Sequence, residues 1–135
     1  MDYKNVLTTC PYCGCGCGIY QSSIDGQLQR PIPDQTHPLS EGRLCIKGWS
    51  AHEHVANPDR LTTPLIRRGE NLEEASWDEA LSLVASRLME LRKQHGPDNL
   101  AFLSSAKCTN EENYLLMKFA RAVIGTNNID HCARL

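Results

Sequence analysis

The chain has no apolar run long enough to cross a bilayer, which excludes a membrane-spanning helix. It has little charge of either sign in excess: the formal net charge is −2. That leaves no case for nucleic acid or an anionic membrane surface as a partner, and an anionic cofactor would have to be held by local groups. The first residues, MDYKNVLTT, lack the basic start and apolar middle of a secretion signal. Arg67-Arg68 is internal and is not a twin-arginine signal. There is no internal repeat and no low-complexity tract. The seven cysteines are odd in number. With no secretion signal beside them, they argue for a reducing, cytoplasmic compartment and against a disulfide framework. With 135 residues, 41% of them hydrophobic and 22% charged, the chain can bury one modest core.

What is present is a cysteine pattern. Cys10, Cys13 and Cys17 lie in CPYCGCGCG at C-x2-C-x3-C spacing, and Cys45 follows in GRLCIKG. A tight trio plus one distant thiolate can wrap a cuboidal [4Fe–4S] cluster, because each iron needs a cysteine from a different direction. The glycines around the trio let the backbone turn sharply beside the sulfurs. Zinc is the competing reading. A four-cysteine zinc site usually shows two C-x2-C knuckles, and here the second half offers Cys45 alone. Cys15 sits inside the trio but out of register and reads as a free thiol beside the cluster, with an exchange of roles between Cys15 and Cys17 left open. Cys108 and Cys132 have no partner at ligand spacing and read as small buried side chains. His37, His52, His54 and His95 show no metal-ligand pattern.

The chain divides near residue 60. Residues 1–60 are rich in Cys, Gly and Pro and poor in helical period. Residues 6–8 read as a short strand leading into the cysteine loop. Residues 18–24 and 27–30 read as a hairpin over Asp25-Gly26, and Pro31, Pro33 and Pro38 make a loop that returns the chain to Cys45. A core this small is marginal alone, so a cluster would act as its staple.

Residues 61–135 read as alternating helices and strands. Ser76 and Glu79 form a capping box, and Leu81, Val84, Ala85, Leu88 and Leu91 recur at helical spacing until His95-Gly96-Pro97 ends the helix. Residues 100–104 predict a short buried strand, and residues 105–110 a polar loop. Thr109 and Glu112 form a second capping box before Leu116, Phe119, Ala120, Val123 and Ile124, with Gly125 as the stop. Residues 128–131 predict another strand. Trp77 and the Leu116/Phe119 stripe are expected in the core. The order implies a parallel α/β layer. Ligands of such layers sit beyond the carboxyl ends of the strands, which points at residues 104–108 and at the chain's own C-terminus.

Together CPYCGCGCG, GRLCIKG, RLTTPLIRR, SWDEAL, SSAKCTNEENY and FARAVIGTNNIDHCARL resemble the N-terminal part of the catalytic subunit of molybdenum- or tungsten-dependent formate dehydrogenases, within the bis-molybdopterin guanine dinucleotide oxidoreductases. The resemblance implies an α/β (α+β overall) chain. Residues 1–60 would form a β-rich [4Fe–4S] domain, and residues 61–135 the start of a parallel-sheet molybdopterin-binding domain. It implies Cys10, Cys13, Cys17 and Cys45 as cluster ligands and Lys47 as the cation between cluster and pterin. Some relatives have an arginine where this chain reads Ala106-Lys107; Lys107 could supply that charge but not a bidentate fork. The implied reaction of the whole enzyme is formate to carbon dioxide, with electrons leaving through pterin and cluster to an NAD(P)-reducing, hydrogenase or ferredoxin-type partner. In the family the segment after CARL starts with cysteine or selenocysteine, the metal ligand, and then histidine. The chain stops at Leu135, so the expectation is a UGA codon there, with no catalytic residue in these 135 positions.

Overall fold

The computed structural model describes residues 1–132. Positions 133–135, and with them the expected junction after Leu135, lie outside the described residues. The fold is mixed α/β and divides into two compact units. One comprises residues 1–60, 103–116 and the segment from His131; the other comprises Leu61–Phe102 and Met117–Asp130.

The first unit is built on an antiparallel sheet. Strand β1 (Tyr3–Thr9) pairs with β2 (Gly18–Ile24) along its whole length, from Tyr3 opposite Ile24 to Thr9 opposite Gly18. β1 is longer than the three residues expected. Asp25 and Gly26 both adopt positive φ, 48° and 83°, the geometry of a tight primed turn, and lead into β3 (Gln27–Leu28). β4 (Ile32–Pro33) covers the other end of β2, with Ile19 opposite Pro33. A proline is tolerated there because β4 is an edge strand. Ile19 and Pro31 are nearly fully buried, and Ser22 satisfies its buried hydroxyl on Asn5 at 2.9 Å. The β1–β2 register leaves residues 10–17 as the hairpin loop, closed by a bond from the Cys10 N–H to the Cys17 carbonyl at 2.8 Å. The sheet thereby presents the cysteine loop at one end.

Asp34 organises the return to Cys45. Its N–H donates to the Gly18 carbonyl at 3.0 Å, its own carbonyl accepts from Gly42 at 3.0 Å, and its carboxylate accepts from the Thr36 N–H and hydroxyl at 2.9 and 2.8 Å. After Cys45 come α1 (Ile46–Trp49) and α2 (Ala51–Ala56). Periodicity does not signal either helix, because elements of four and six residues are too short to develop a period.

In the second unit, β5 (Leu65–Arg68) and β6 (Asn71–Glu74) form a hairpin over Gly69, φ 62°. Helix α3 (Trp77–His95) starts as expected, with the Glu79 N–H bonded to Ser76 Oγ at 3.1 Å, and stops at Gly96, φ 83°. β7 (Phe102–Ser104) pairs with β8 (Ile129–His131) in a two-stranded sheet, and the Phe102 N–H donates to the Asn128 carbonyl at 2.8 Å. Between them α4 (Asn110–Lys118), which belongs to the first unit as far as Leu116, widens into a π-helical segment, Phe119–Ile124, ended by left-handed Gly125. Phe119 meets Phe102 edge-on at 5.7 Å, and Ala120, Ile124 and Thr126 are buried.

Several expectations about burial fail: Trp77 is 66% exposed, Leu103 in β7 is 83% exposed, Cys132 is exposed, and Cys108, Leu116 and Phe119 are only half-buried. No residue of α3 is buried, so its apolar stripe is uncovered among the described residues. Periodicity identifies the face a helix would bury but not whether the same chain supplies the cover.

Candidate metal centre

Cys10, Cys13, Cys17 and Cys45 line one cavity of about 310 Å3. The hairpin loop supplies three of the thiols, and the residue preceding α1 supplies the fourth. Tyr12, Leu44 and Ile46 form the apolar part of the wall. Lys47 and Lys107 also line it, although they are distant in sequence. Cys15 is exposed and lies outside this cavity. It faces a neighbouring cavity of about 370 Å3 shared with Cys17, Cys45 and Arg43.

The electrostatics follow from this crowding. Burial pushes the Cys10 thiol above the ordinary value, and Cys17, Cys13 and Cys45 push it the same way, against the backbone N–H of Tyr12. Cys45 is shifted down. The N–H of Gly48 is the largest cause, joined by the Lys47 N–H and ammonium, all at the first turn of α1. Cys15 is raised, first by the adjacent Cys13 thiol. Outside the cavity, Cys132 is lowered by the Ser105 hydroxyl, 3.3 Å from its sulfur, and by the Ala106 N–H.

This donor set suits a multi-iron cluster. A single zinc needs its sulfurs about 2.3 Å from one point. The four thiols line a void, and a cuboid bonded at its corners needs room between its ligands. Lys47 lines the cavity with its ammonium acting on the Cys45 thiol, and Lys107 lines the same cavity, so both stand near the negative charge that four thiolates would bring.

Two other contacts hold the centre together. The Tyr12 hydroxyl and His54 Nδ1 in α2 are 3.4 Å apart, with the rings edge to face at 5.6 Å. Asn110 Nδ2, at the start of α4, donates to the Gly14 carbonyl at 3.0 Å. Neither contact is signalled by the local sequence. Tyr12 was legible only as an aromatic flanked by two ligand candidates, and nothing local marks Asn110 as a partner of residue 14.

A model of the molybdopterin oxidoreductase Fe4S4 domain matches residues 3–57, and one of molybdopterin oxidoreductase matches residues 60–135. The chain is 52% identical to the F420-dependent formate dehydrogenase 1 subunit alpha of Methanococcus maripaludis, over all of this chain and 19% of that protein. It is 46% identical to the corresponding subunit of Methanocaldococcus jannaschii, over the same shares. Acetylene hydratase from Pelobacter acetylenicus shares the fold, with a TM-score of 0.73 and 24% identity over 93% of this chain and 18% of that one. The chain thus spans about a fifth of the length of the curated relatives it matches.

Proposed function

The chain belongs to the molybdopterin oxidoreductase family, and on that premise we propose that it is the N-terminal segment of a formate dehydrogenase catalytic subunit. The observation that carries this reading is the cavity in which Cys10, Cys13, Cys17 and Cys45 meet Lys47 and Lys107. Formate as substrate is supported by the names of the relatives that match the whole chain. Residues 1–60 act as the cluster domain and residues 61–135 as the start of the pterin domain.

When bound, the pterin-held metal supplies the oxidation of formate, and the cluster supplies one-electron transport. The chain's own residues do the rest. Cys10, Cys13, Cys17 and Cys45 ligate the cluster, and Cys15 stays free. Leu44 and Ile46 would supply an apolar wall beside it. Lys47 and Lys107 stabilise the added negative charge of the reduced state, Lys47 from the ligand loop and Lys107 from the loop before α4. Electrons would leave to an acceptor subunit of the NAD(P)-reducing, hydrogenase or ferredoxin type, and the relatives' names add an F420-dependent route. No helix among the described residues is long and apolar enough to cross a membrane. A reduced cytoplasmic setting suits the seven free cysteines. The pterin-held metal is molybdenum or tungsten.

The test uses the full-length protein that contains this chain. Adding formate anaerobically should reduce the cluster and drive dye reduction, and Cys45→Ser should abolish dye reduction along with the cluster. An intact cluster that formate leaves oxidised, while dithionite reduces it, would overturn the substrate.

A further inference from the structure

Tyr12 belongs to two structures at once. Its ring lines the cluster cavity, and its hydroxyl meets His54 Nδ1 at 3.4 Å. His54 in turn lines a shallow open cleft of about 280 Å3 with Asn57, Asp59 and Arg60, and the Arg60 guanidinium donates to the His54 carbonyl at 3.4 Å. The pair therefore stands between the thiol cavity and an open cleft. We propose that the Tyr12–His54 pair closes the iron–sulfur cavity on the side of this cleft and that His54 is a positioning residue for it. This rests on the cluster reading above.

The argument is one of remaining freedom. Tyr12 lies between two ligands, Cys10 and Cys13, so a bound cluster fixes its backbone and leaves the side-chain torsions as its main freedom. The edge-to-face contact at 5.6 Å and 64° and the hydroxyl–imidazole contact restrain those torsions. Without His54 the ring can swing out and admit water from the cleft side. Water near the sulfurs favours the more negative reduced cluster, so it raises the reduction potential, and it opens a route for iron loss. One hydrogen bond changes such an opening equilibrium by a factor of about 2–10.

The test compares Tyr12→Phe, which removes only the hydroxyl, with His54→Leu, the double variant, and His54→Asn, which keeps a polar atom near the Nδ1 position. The readouts are cluster potential by redox titration and the rate of iron loss to a ferrous chelator, measured in the full-length protein. The seal predicts a raised potential and about 2–10-fold faster iron loss in Tyr12→Phe and in His54→Leu. The double variant should be no worse than the worse single, because the two residues share one contact. His54→Asn, which keeps the polar contact but not the ring, should fall between wild type and His54→Leu. Wild-type potential and iron loss in both single variants would overturn the proposal, as would His54→Asn behaving like His54→Leu. Where His54→Leu does not fold, Tyr12→Phe decides alone. Absence of iron from the wild-type protein would instead sink the cluster reading itself.

Discussion

Asn110 Nδ2 donates a hydrogen bond to the carbonyl oxygen of Gly14 at 3.0 Å. This fastens the first residue of α4 to the loop that supplies three of the cavity thiols. It also keeps the segment bearing Lys107 beside that loop, so that both reach one cavity. A Cβ built on Gly14 would stand 2.5 Å from Asn110 Oδ1. Gly14→Ala must therefore expel the amide, and Asn110→Ala removes it. Each variant should lose about 1 kcal/mol of stability in chemical denaturation. The double variant should lose no more than the larger single loss, since both remove one contact. Additive losses would show that the clamp is not shared.

Lys47 should set the potential of the centre without building it. A cation facing the cavity stabilises the reduced state, so its removal favours the oxidised one. Lys47→Ala is expected to retain full iron and sulfide while the reduction potential falls by roughly 20–60 mV, the one-electron equivalent of about 0.5–1.4 kcal/mol. Lys47→Arg should restore most of it. An unchanged potential in Lys47→Ala would make this lysine a solvated surface charge.

Asp34 predicts acid sensitivity in the loop that delivers Cys45. The Thr36 N–H and hydroxyl hold its carboxyl below the ordinary carboxylate value. A depressed folded-state value means that the contribution is fully present above the ordinary value of about 3.9 and is lost as pH falls through the depressed one. Asp34→Asn should weaken the loop at neutral pH and flatten the pH dependence below about 4. Stability followed from pH 7 to pH 2 checks this, and parallel curves for wild type and variant would contradict it.

Much of the fold was legible because its signals are local. Thr109 with Glu112 is a capping box in the structure as in the sequence, closed by the Thr109 N–H on Glu112 at 2.7 Å and the Glu112 N–H on Thr109 at 3.2 Å, whereas Ser76 caps α3 through the Glu79 N–H and the Glu79 carboxylate pairs with Arg68 instead. Asp25-Gly26, Gly96 and Gly125 turn or stop where their φ freedom is needed. The β5–β6 hairpin was not legible, since β6 (Asn-Leu-Glu-Glu) is exposed throughout and has no buried face to alternate. Helices α1 and α2 are too short for a period. Trp77 and Leu103 were misread because burial depends on what covers a face, which lies outside the element itself. For the centre, cysteine spacing named the candidate ligands, while the Tyr12–His54 and Asn110–Gly14 contacts join residues too far apart for any spacing rule to link.

The central claim is that four particular thiols hold an iron–sulfur cluster, and metal analysis of anaerobically prepared protein tests it most directly. Wild type and Cys15→Ser should each contain about four irons and four sulfides per chain, whereas Cys10→Ser, Cys13→Ser, Cys17→Ser and Cys45→Ser should each lose or damage the cluster. Loss of the cluster in Cys15→Ser with retention in Cys17→Ser would reassign the third ligand. Stoichiometric zinc, with neither iron nor sulfide, would contradict the account.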